Sequence, residues 1–372
     1  MNKQFDYLIV GAGLSGATIA RKLLDEGKKV LIVEKREHVG GNIYTEMKNG
    51  IPVHVYGPHI FHTDKKEIYD FFCSYCKAYP FINSPLAYFK GNYYHMPFNM
   101  NTFFELWGVS NEEEARKKIE EETFLYKQKE PTNLEEQALS LVGNTIYRTL
   151  IKGYTEKQWG RDCKDLPSSI IKRLPLRFTY NNNYFNDPYQ AMPKGGFTPF
   201  IENLLKGAVI KFGVDYLKDK EELDSLADKV IYTGRLDEYF SFELGHLEYR
   251  SLRFEVEILP IKSYQGNAVV NYTDKTPAYT RITEHKYFDP SLIDLDSTVI
   301  TKEYPDKFVE GKIPYYTLND ERNVKLSSAY LERAKAIKNV YFLGRLATYR
   351  YLDMDDSIFE ALNMASILLK QN

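Results

Sequence analysis

Apolar and polar positions alternate between two rhythms along this chain. Tyr7-Leu8-Ile9-Val10 is an unbroken apolar run, the pattern of a strand buried on both faces. It runs into Gly11-Ala12-Gly13-Leu14-Ser15-Gly16, after which Ala17, Ile19, Ala20, Leu23 and Leu24 recur at helical spacing until Gly27. A second apolar run, Val30-Leu31-Ile32-Val33, ends on Glu34. Downstream the pattern predicts a helix over 65–75 and strands at 86–89 and 93–95 joined by a Gly91-Asn92 turn. From Asn101 to about Gly153 the rhythm becomes helical, with Asn111 and the Pro131-Thr132-Asn133 stretch placed to start helices. The Pro-interrupted basic stretch Arg173-Leu174-Pro175-Leu176-Arg177, within 164–178, reads as a loop and a candidate lid. A helix over 198–205 follows, then a strand over 229–232 suited to the first sheet. Antiparallel strands are expected at 250–260 and 268–272, a buried strand at 340–345 and a closing amphipathic helix at 357–369.

Composition narrows the class. At 372 residues, 43% hydrophobic and 27% charged, the chain reads as an ordinary globular protein of two or three domains. A net charge of −2 gives no footprint for nucleic acid, and no apolar stretch is long enough to insert in a membrane. Three cysteines make no disulfide framework, so a cytoplasmic setting is expected. Thirty tyrosines supply flat apolar faces with hydroxyls, a surface suited to sugars, bases and phosphates.

The first forty residues carry the plainest chemistry. Strand, glycine turn, helix, strand and acid is the order of a dinucleotide-binding βαβ unit. Gly11 permits the tight turn, Gly13 lets backbone approach a pyrophosphate, and Gly16 allows helix and strand to pack closely. Leu14 and Ser15 begin the helix whose N-terminus favours phosphate. Glu34 suits an unphosphorylated ribose, hence FAD or NAD, and Gly40-Gly41-Asn42 is a second close-approach pair found in flavin units. The fingerprint occurs once, which argues for one tightly held nucleotide and a separate substrate pocket. Cys73 and Cys76, or His59 and His62, lack the further ligands a metal needs, so no metal is expected.

Longer blocks make the chain recognisable. Gly57-Pro58-His59-Ile60-Phe61-His62-Thr63, Gly153-Tyr154-Thr155-Glu156-Lys157-Gln158-Trp159-Gly160, Lys172-Arg173-Leu174-Pro175 and Asn183-Tyr184-Phe185 come first. Met192-Pro193-Lys194-Gly195-Gly196, Tyr279-Thr280-Arg281-Ile282-Thr283-Glu284-His285-Lys286, and Gly344-Arg345 to Tyr351-Leu352-Asp353-Met354-Asp355 follow in order. Together these resemble the bacterial UDP-galactopyranose mutases over nearly the whole chain. The resemblance implies a flavoenzyme, active with reduced FAD, that interconverts UDP-galactopyranose and UDP-galactofuranose through a covalent bond between flavin N5 and the sugar. UDP-N-acetylgalactosamine is a further candidate substrate, and the competing reading is an FAD-dependent oxidoreductase of the amine-oxidase type.

The same resemblance implies roles for individual residues. Arg173 and Arg281 match the family's two phosphate-binding arginines, and Arg suits bidentate phosphate contact. Tyr184, Tyr316 and Tyr351 match its phosphate-contacting tyrosines, Tyr154 its uracil-stacking position, Asn83 and Phe185 further uridine contacts, and Trp159 the sugar-side tryptophan. His62 is placed with the catalytic groups, and His59 and Ile60 with the loop approaching the flavin. Lys35, Gly41, Asn42, Gly344, Arg345, Tyr351, Leu352, Asp353 and Met354 complete the expected cofactor contacts, Asp353 also facing substrate. The implied fold is α/β: a Rossmann-like FAD-binding domain (1–64, 191–240 and 335–372), a helical insertion domain (98–167) and an antiparallel β-sheet substrate domain (65–97, 168–190 and 241–334). A homodimer is the expected assembly.

Overall fold

The computed structural model describes residues 3–171 and 175–371, and it divides into two compact units. The first comprises Met1–Pro80, Asp187–Tyr249 and Tyr316–Asn372. Its centre is a five-stranded sheet in the order Val209–Phe212, Val30–Glu34, Phe5–Val10, Ala227–Tyr232, Val340–Phe342, every pairing parallel. Leu8, Ile9, Leu31, Ile32 and Ile231 are fully buried, which is why these strands read as unbroken apolar runs. Each such side chain contributes roughly 1.5–3 kcal/mol of burial. The helix Leu14–Asp25 packs on the closing helix Met354–Lys370. This is the Rossmann-like α/β half expected from the sequence.

A small antiparallel sheet in the same unit carries the histidine loop. Tyr189–Pro193 lies between Phe61–Thr63 and Ala78–Pro80, and the register sets His62 opposite Gln190.

The second unit, Phe81–Asn186 and Arg250–Tyr315, holds both a helical block and a mainly antiparallel sheet. Asn99, Asn111 and Asn133 cap the helices Met100–Trp107, Glu112–Thr123 and Leu134–Ile146, each side chain accepting from backbone N–H groups of the first turn. Their inner faces enclose Phe103, Leu134, Ala138, Val142 and Ile146. A π-helical turn, Tyr147–Ile151, leads into the helix Lys152–Trp159. The sheet runs Tyr249–Leu259, Thr298–Lys307, Arg281–Glu284, Val269–Tyr272, Leu86–Phe89, Asn92–His95, with Val269–Tyr272 parallel to Leu86–Phe89.

Several local expectations shift. The 86–95 hairpin turns at Lys90-Gly91, both at positive φ (47° and 94°), and Asn92 is already in the strand. That is the geometry a two-residue turn needs to match strand twist. The strands expected at 250–260 and 268–272 do not pair with each other, because the unforeseen strand Thr298–Lys307 lies between them in the sheet, alongside Arg281–Glu284. Val340–Phe342 is a half-buried edge strand rather than a buried one, since its outer side has no neighbour in the sheet. The 164–178 stretch begins with two short 3₁₀ turns, Cys163–Asp165 and Ser168–Ile171, and Arg173 lies outside the described residues. No described helix is long and apolar enough to cross a membrane.

Candidate active site

In the first unit the glycine turn is shaped by close contacts that only glycine tolerates. Gly11 sits at φ +103°, and a Cβ there would meet the Thr233 hydroxyl at 2.3 Å. A Cβ on Gly16 would lie 2.1 Å from the Gly11 carbonyl oxygen. Gly13 caps the helix Leu14–Asp25 in extended conformation with no capping hydrogen bond from a side chain, a helix end suited to an anion. The second glycine pair lands against the first. Gly40 N donates to the Ala12 carbonyl (2.9 Å), and a Cβ on Gly41 would stand 3.0 Å from Gly13 Cα. Gly344, at φ +87°, closes the same corner, its missing Cβ 3.0 Å from Ser15 Oγ.

Glu34 is buried beside this turn. One carboxylate oxygen accepts from Ala12 N (2.7 Å) and the other from Arg36 N (2.9 Å). A carboxylate has about four acceptor positions, so two remain to be offered to ribose hydroxyls. Arg36 in turn donates to Asn42 Oδ1 (3.0 Å) and lies over the Tyr56 ring, beside the stacked His38–Tyr44 pair. Lys35 points outward and pairs with Asp215 at 3.0 Å. The glycine cradle, the open helix end and the held acid fit a dinucleotide such as FAD.

The same unit gathers ionisable groups from three segments. His62 Nδ1 lies 2.5 Å from Asp187 Oδ2, which fixes the proton on Nδ1 and turns Nε2 away from the carboxylate. His59 Nδ1 lies 2.9 Å from the Gly57 carbonyl, and its backbone N–H donates to His54 Nδ1 (3.1 Å). A carbonyl only accepts, so His59 carries its proton on Nδ1 and His54 on Nε2. Arg345 Nε donates to the Leu352 carbonyl (2.5 Å) while its guanidinium lies 4.5 Å from the Tyr351 ring centre. Burial pushes the Asp353 carboxyl up, and the His62 and Arg345 charges pull it down. Tyr316 and Tyr351 face one another with ring centres 6.5 Å apart, Leu352 and Met354 are buried, and Ile60 is half-buried in the histidine loop.

The second unit builds a different cluster. Arg281 opens the strand Arg281–Glu284, and the register sets it directly across from Glu303 on Thr298–Lys307. Its Nη2 donates to Glu303 Oε1 at 3.1 Å, and Glu303 is buried. Tyr154, two residues into the helix Lys152–Trp159, lies close to Arg281; burial raises its hydroxyl pKa, and the Arg281 charge opposes that. Tyr184 lies close to Tyr154; its backbone N–H donates to the Asn83 carbonyl (2.8 Å), and its ring meets Phe185 edge-on at 5.3 Å. Asn83, Tyr154, Tyr184, Phe185 and Arg281 therefore come together in one unit. Trp159 ends the helix and packs on the helical core. Tyr316, Tyr351 and Asp353 belong to the first unit.

Two contributors escape the sequence reading. Glu303 sits in the charged, proline-containing second half of the unforeseen strand Thr298–Lys307. Arg177 clamps the tyrosine loop, donating to the carbonyls of Asn183 and Tyr184 and to Asn186 Oδ1 (2.6 Å).

Comparison with known proteins bears on both halves. A family described as UDP-galactopyranose mutase matches residues 149–351, and an NAD(P)-binding Rossmann-like domain matches residues 9–75. The chain is 42% identical to a probable UDP-galactopyranose mutase of Klebsiella pneumoniae, covering 98% of this chain and 94% of that one. It is 40% identical to a dTDP-fucopyranose mutase of Escherichia coli, with 100% of each covered. A crystal structure of reduced UDP-galactopyranose mutase superposes with a TM-score of 0.75 at 13% identity, covering 99% of this chain and 96% of that one, a likeness of fold.

Proposed function

The chain belongs to the UDP-galactopyranose mutase family, and from that premise we propose that it interconverts the pyranose and furanose forms of a nucleoside-diphosphate sugar, UDP-galactose first. It is a flavin-dependent mutase. Reduced FAD, when bound, would supply nucleophilic chemistry toward the anomeric carbon of the sugar.

The protein's own residues carry the rest. The Gly11–Gly16 turn and the open helix end receive the FAD pyrophosphate, and Glu34 receives the ribose hydroxyls. Departure of UDP concentrates negative charge on a diphosphate, so cations fixed in advance lower the barrier. Arg281 meets that need, its guanidinium oriented by Glu303 and close to Tyr154. Glu303 also cancels much of the Arg281 charge, so a multiply charged diphosphate calls for a second cation, the role assigned to Arg173. Tyr154, Asn83 and Phe185 take the uridine, and Tyr184, Tyr316 and Tyr351 the phosphate oxygens. Trp159 is assigned to the sugar side, with Asp353, Arg345, His59 and His62 at the flavin side. The observation that carries this reading is Arg281 set against Tyr154 and Glu303 in a chain whose other half holds a dinucleotide turn. An amine-oxidase reading gives that cluster no role.

The Escherichia coli relative supports a second substrate, a dTDP-linked 6-deoxy sugar. The test incubates dithionite-reduced enzyme with UDP-galactofuranose, dTDP-fucofuranose and the furanose of UDP-N-acetylgalactosamine, and resolves products by chromatography. Conversion to pyranose only with reduced flavin supports the mutase, and the ranking of turnover names the substrate. Peroxide release with an amine and no sugar conversion would refute it. The reading places the enzyme in the cytoplasm as a homodimer, with the first unit as FAD domain and the helical and sheet parts of the second as insertion and substrate domains. Light scattering on a sizing column tests the dimer.

A further inference from the structure

Arg281 stands at the end of an eight-residue connection, 273–280, between two four-residue strands. Pairing with Asn271 and Glu303 on either side fixes the Arg281 backbone in the sheet, and the connection that leads into it is held by bonds of its own. The helix Lys152–Trp159 lies against it. A Cβ on Gly153 would stand 2.3 Å from the Thr273 carbonyl oxygen, and Thr273 Oγ1 donates to the Thr149 carbonyl (2.7 Å). One helical turn after Gly153, Lys157 reaches the same connection. Its Nζ donates to the carbonyls of Tyr272 (2.8 Å), Pro277 (3.1 Å) and Tyr279 (2.8 Å). All three ammonium donors are used, on carbonyls from both ends of the connection. Asp274 secures the far side, accepting from Lys90 N (3.1 Å) and Thr276 N (2.9 Å).

We propose that Lys157 is a positioning residue for Arg281: it ties together the two ends of the 273–280 connection on the helix that carries Tyr154. This rests on the reading of Arg281 as a diphosphate ligand. An ammonium is a costly way to fill space, and burial lowers the Lys157 pKa to about 8. A Met or Leu would fill the volume and leave three carbonyls without a shared donor. The arrangement therefore makes sense as a clasp. The partner it prepares for is the diphosphate of a nucleotide sugar, whose two negative groups need a guanidinium at one defined place and orientation.

The experiment compares Lys157→Met and Lys157→Arg with wild type as FAD-loaded enzymes, using UDP as probe. In Lys157→Met, amide hydrogen exchange across 273–281 accelerates, UDP affinity falls at least about tenfold, and flavin content stays at the wild-type level. Lys157→Arg, which keeps several donors, recovers affinity to within about threefold of wild type. The Met variant raises KM more than it lowers kcat, because the guanidinium is displaced rather than removed. Wild-type exchange across 273–281 in both variants would overturn the clasp. UDP binding by a folded Lys157→Met at wild-type affinity would overturn it too. If Lys157→Met does not fold, Lys157→Gln, with two donors, takes its place under the same criteria. A wild-type enzyme that binds no UDP would instead refute the reading of Arg281, with the exchange data still deciding the clasp.

Discussion

Replacing Arg281 by Ala should do two separable things, and the buried Glu303 makes them distinguishable. The first is electrostatic and concerns folding. Glu303 faces Arg281 across the strand pair at 3.1 Å and is 2% exposed. Removing one partner of a buried ion pair leaves a charge without compensation, at roughly 3–5 kcal/mol. The Arg281 side chain retains 20% exposure, so water already shares the pair and the lower end, about 3 kcal/mol, applies. At roughly 2–4 °C per kcal/mol, Arg281→Ala should melt about 6–12 °C below wild type. The second effect is chemical: loss of a fixed cation at the departing diphosphate should lower kcat about 10²–10³-fold. Adding Glu303→Gln removes the stranded charge while keeping the shape. The double variant should regain most of the melting temperature and none of the activity, with flavin bound throughout. Differential scanning fluorimetry and the sugar-conversion assay read the two axes of this cycle. Recovered turnover in the double variant would show that Arg281 served folding and not the diphosphate. An unchanged melting temperature in Arg281→Ala would show that Glu303 does not depend on it.

The glycine turn should separate fold from cofactor in a similar way. A Cβ on Gly13 would meet Gly41 Cα at 3.7 Å, an ordinary contact, so Gly13→Ala should fold but lose most of its flavin absorbance at the pyrophosphate it now crowds. Gly16→Ala, with its Cβ 2.1 Å from the Gly11 oxygen, should yield little folded protein by circular dichroism, and normal yield would refute the packing argument. His285 is fully enclosed against Thr301 (2.7 Å), and burial lowers its pKa to about 3. Its folded pKa lies below the unfolded value near 6.5, so the unfolded state binds the proton first and stability falls as pH drops from about 6.5 towards 3. His285→Gln should flatten the melting temperature against pH across that window, and an identical slope would refute the burial.

Local pattern announces an element only where the element's burial or cap acts within a few residues. Runs such as Leu31-Ile32-Val33 announce strands because both faces are buried, and Asn111 and Asn133 announce helix starts because a cap acts within one turn. The strand Thr298–Lys307 shows such a sign only in its β-branched first half, Thr298 to Thr301. Its second half carries Glu303, Pro305 and Asp306, and only its place in the sheet makes that half a strand. Glu303 is consequently invisible until register puts it across from Arg281. The block around Arg281 shows the complementary limit. Resemblance marks the whole run from Tyr279 to Lys286 as one unit, yet its residues have separate work. Glu284 accepts from the backbone N–H groups of Tyr264, Gln265 and Gly266 and from Thr298 Oγ1, while Lys286 Nζ donates to the carbonyls of Lys262 and Leu295. Both are buried and hold loops. Arg281 alone among these three charged residues joins Tyr154 and Glu303 in the proposed phosphate site, and the other two secure the strand that presents it. Charge in a shared motif is thus no guide to ligand contact here; which backbone groups each charge satisfies decides between the roles.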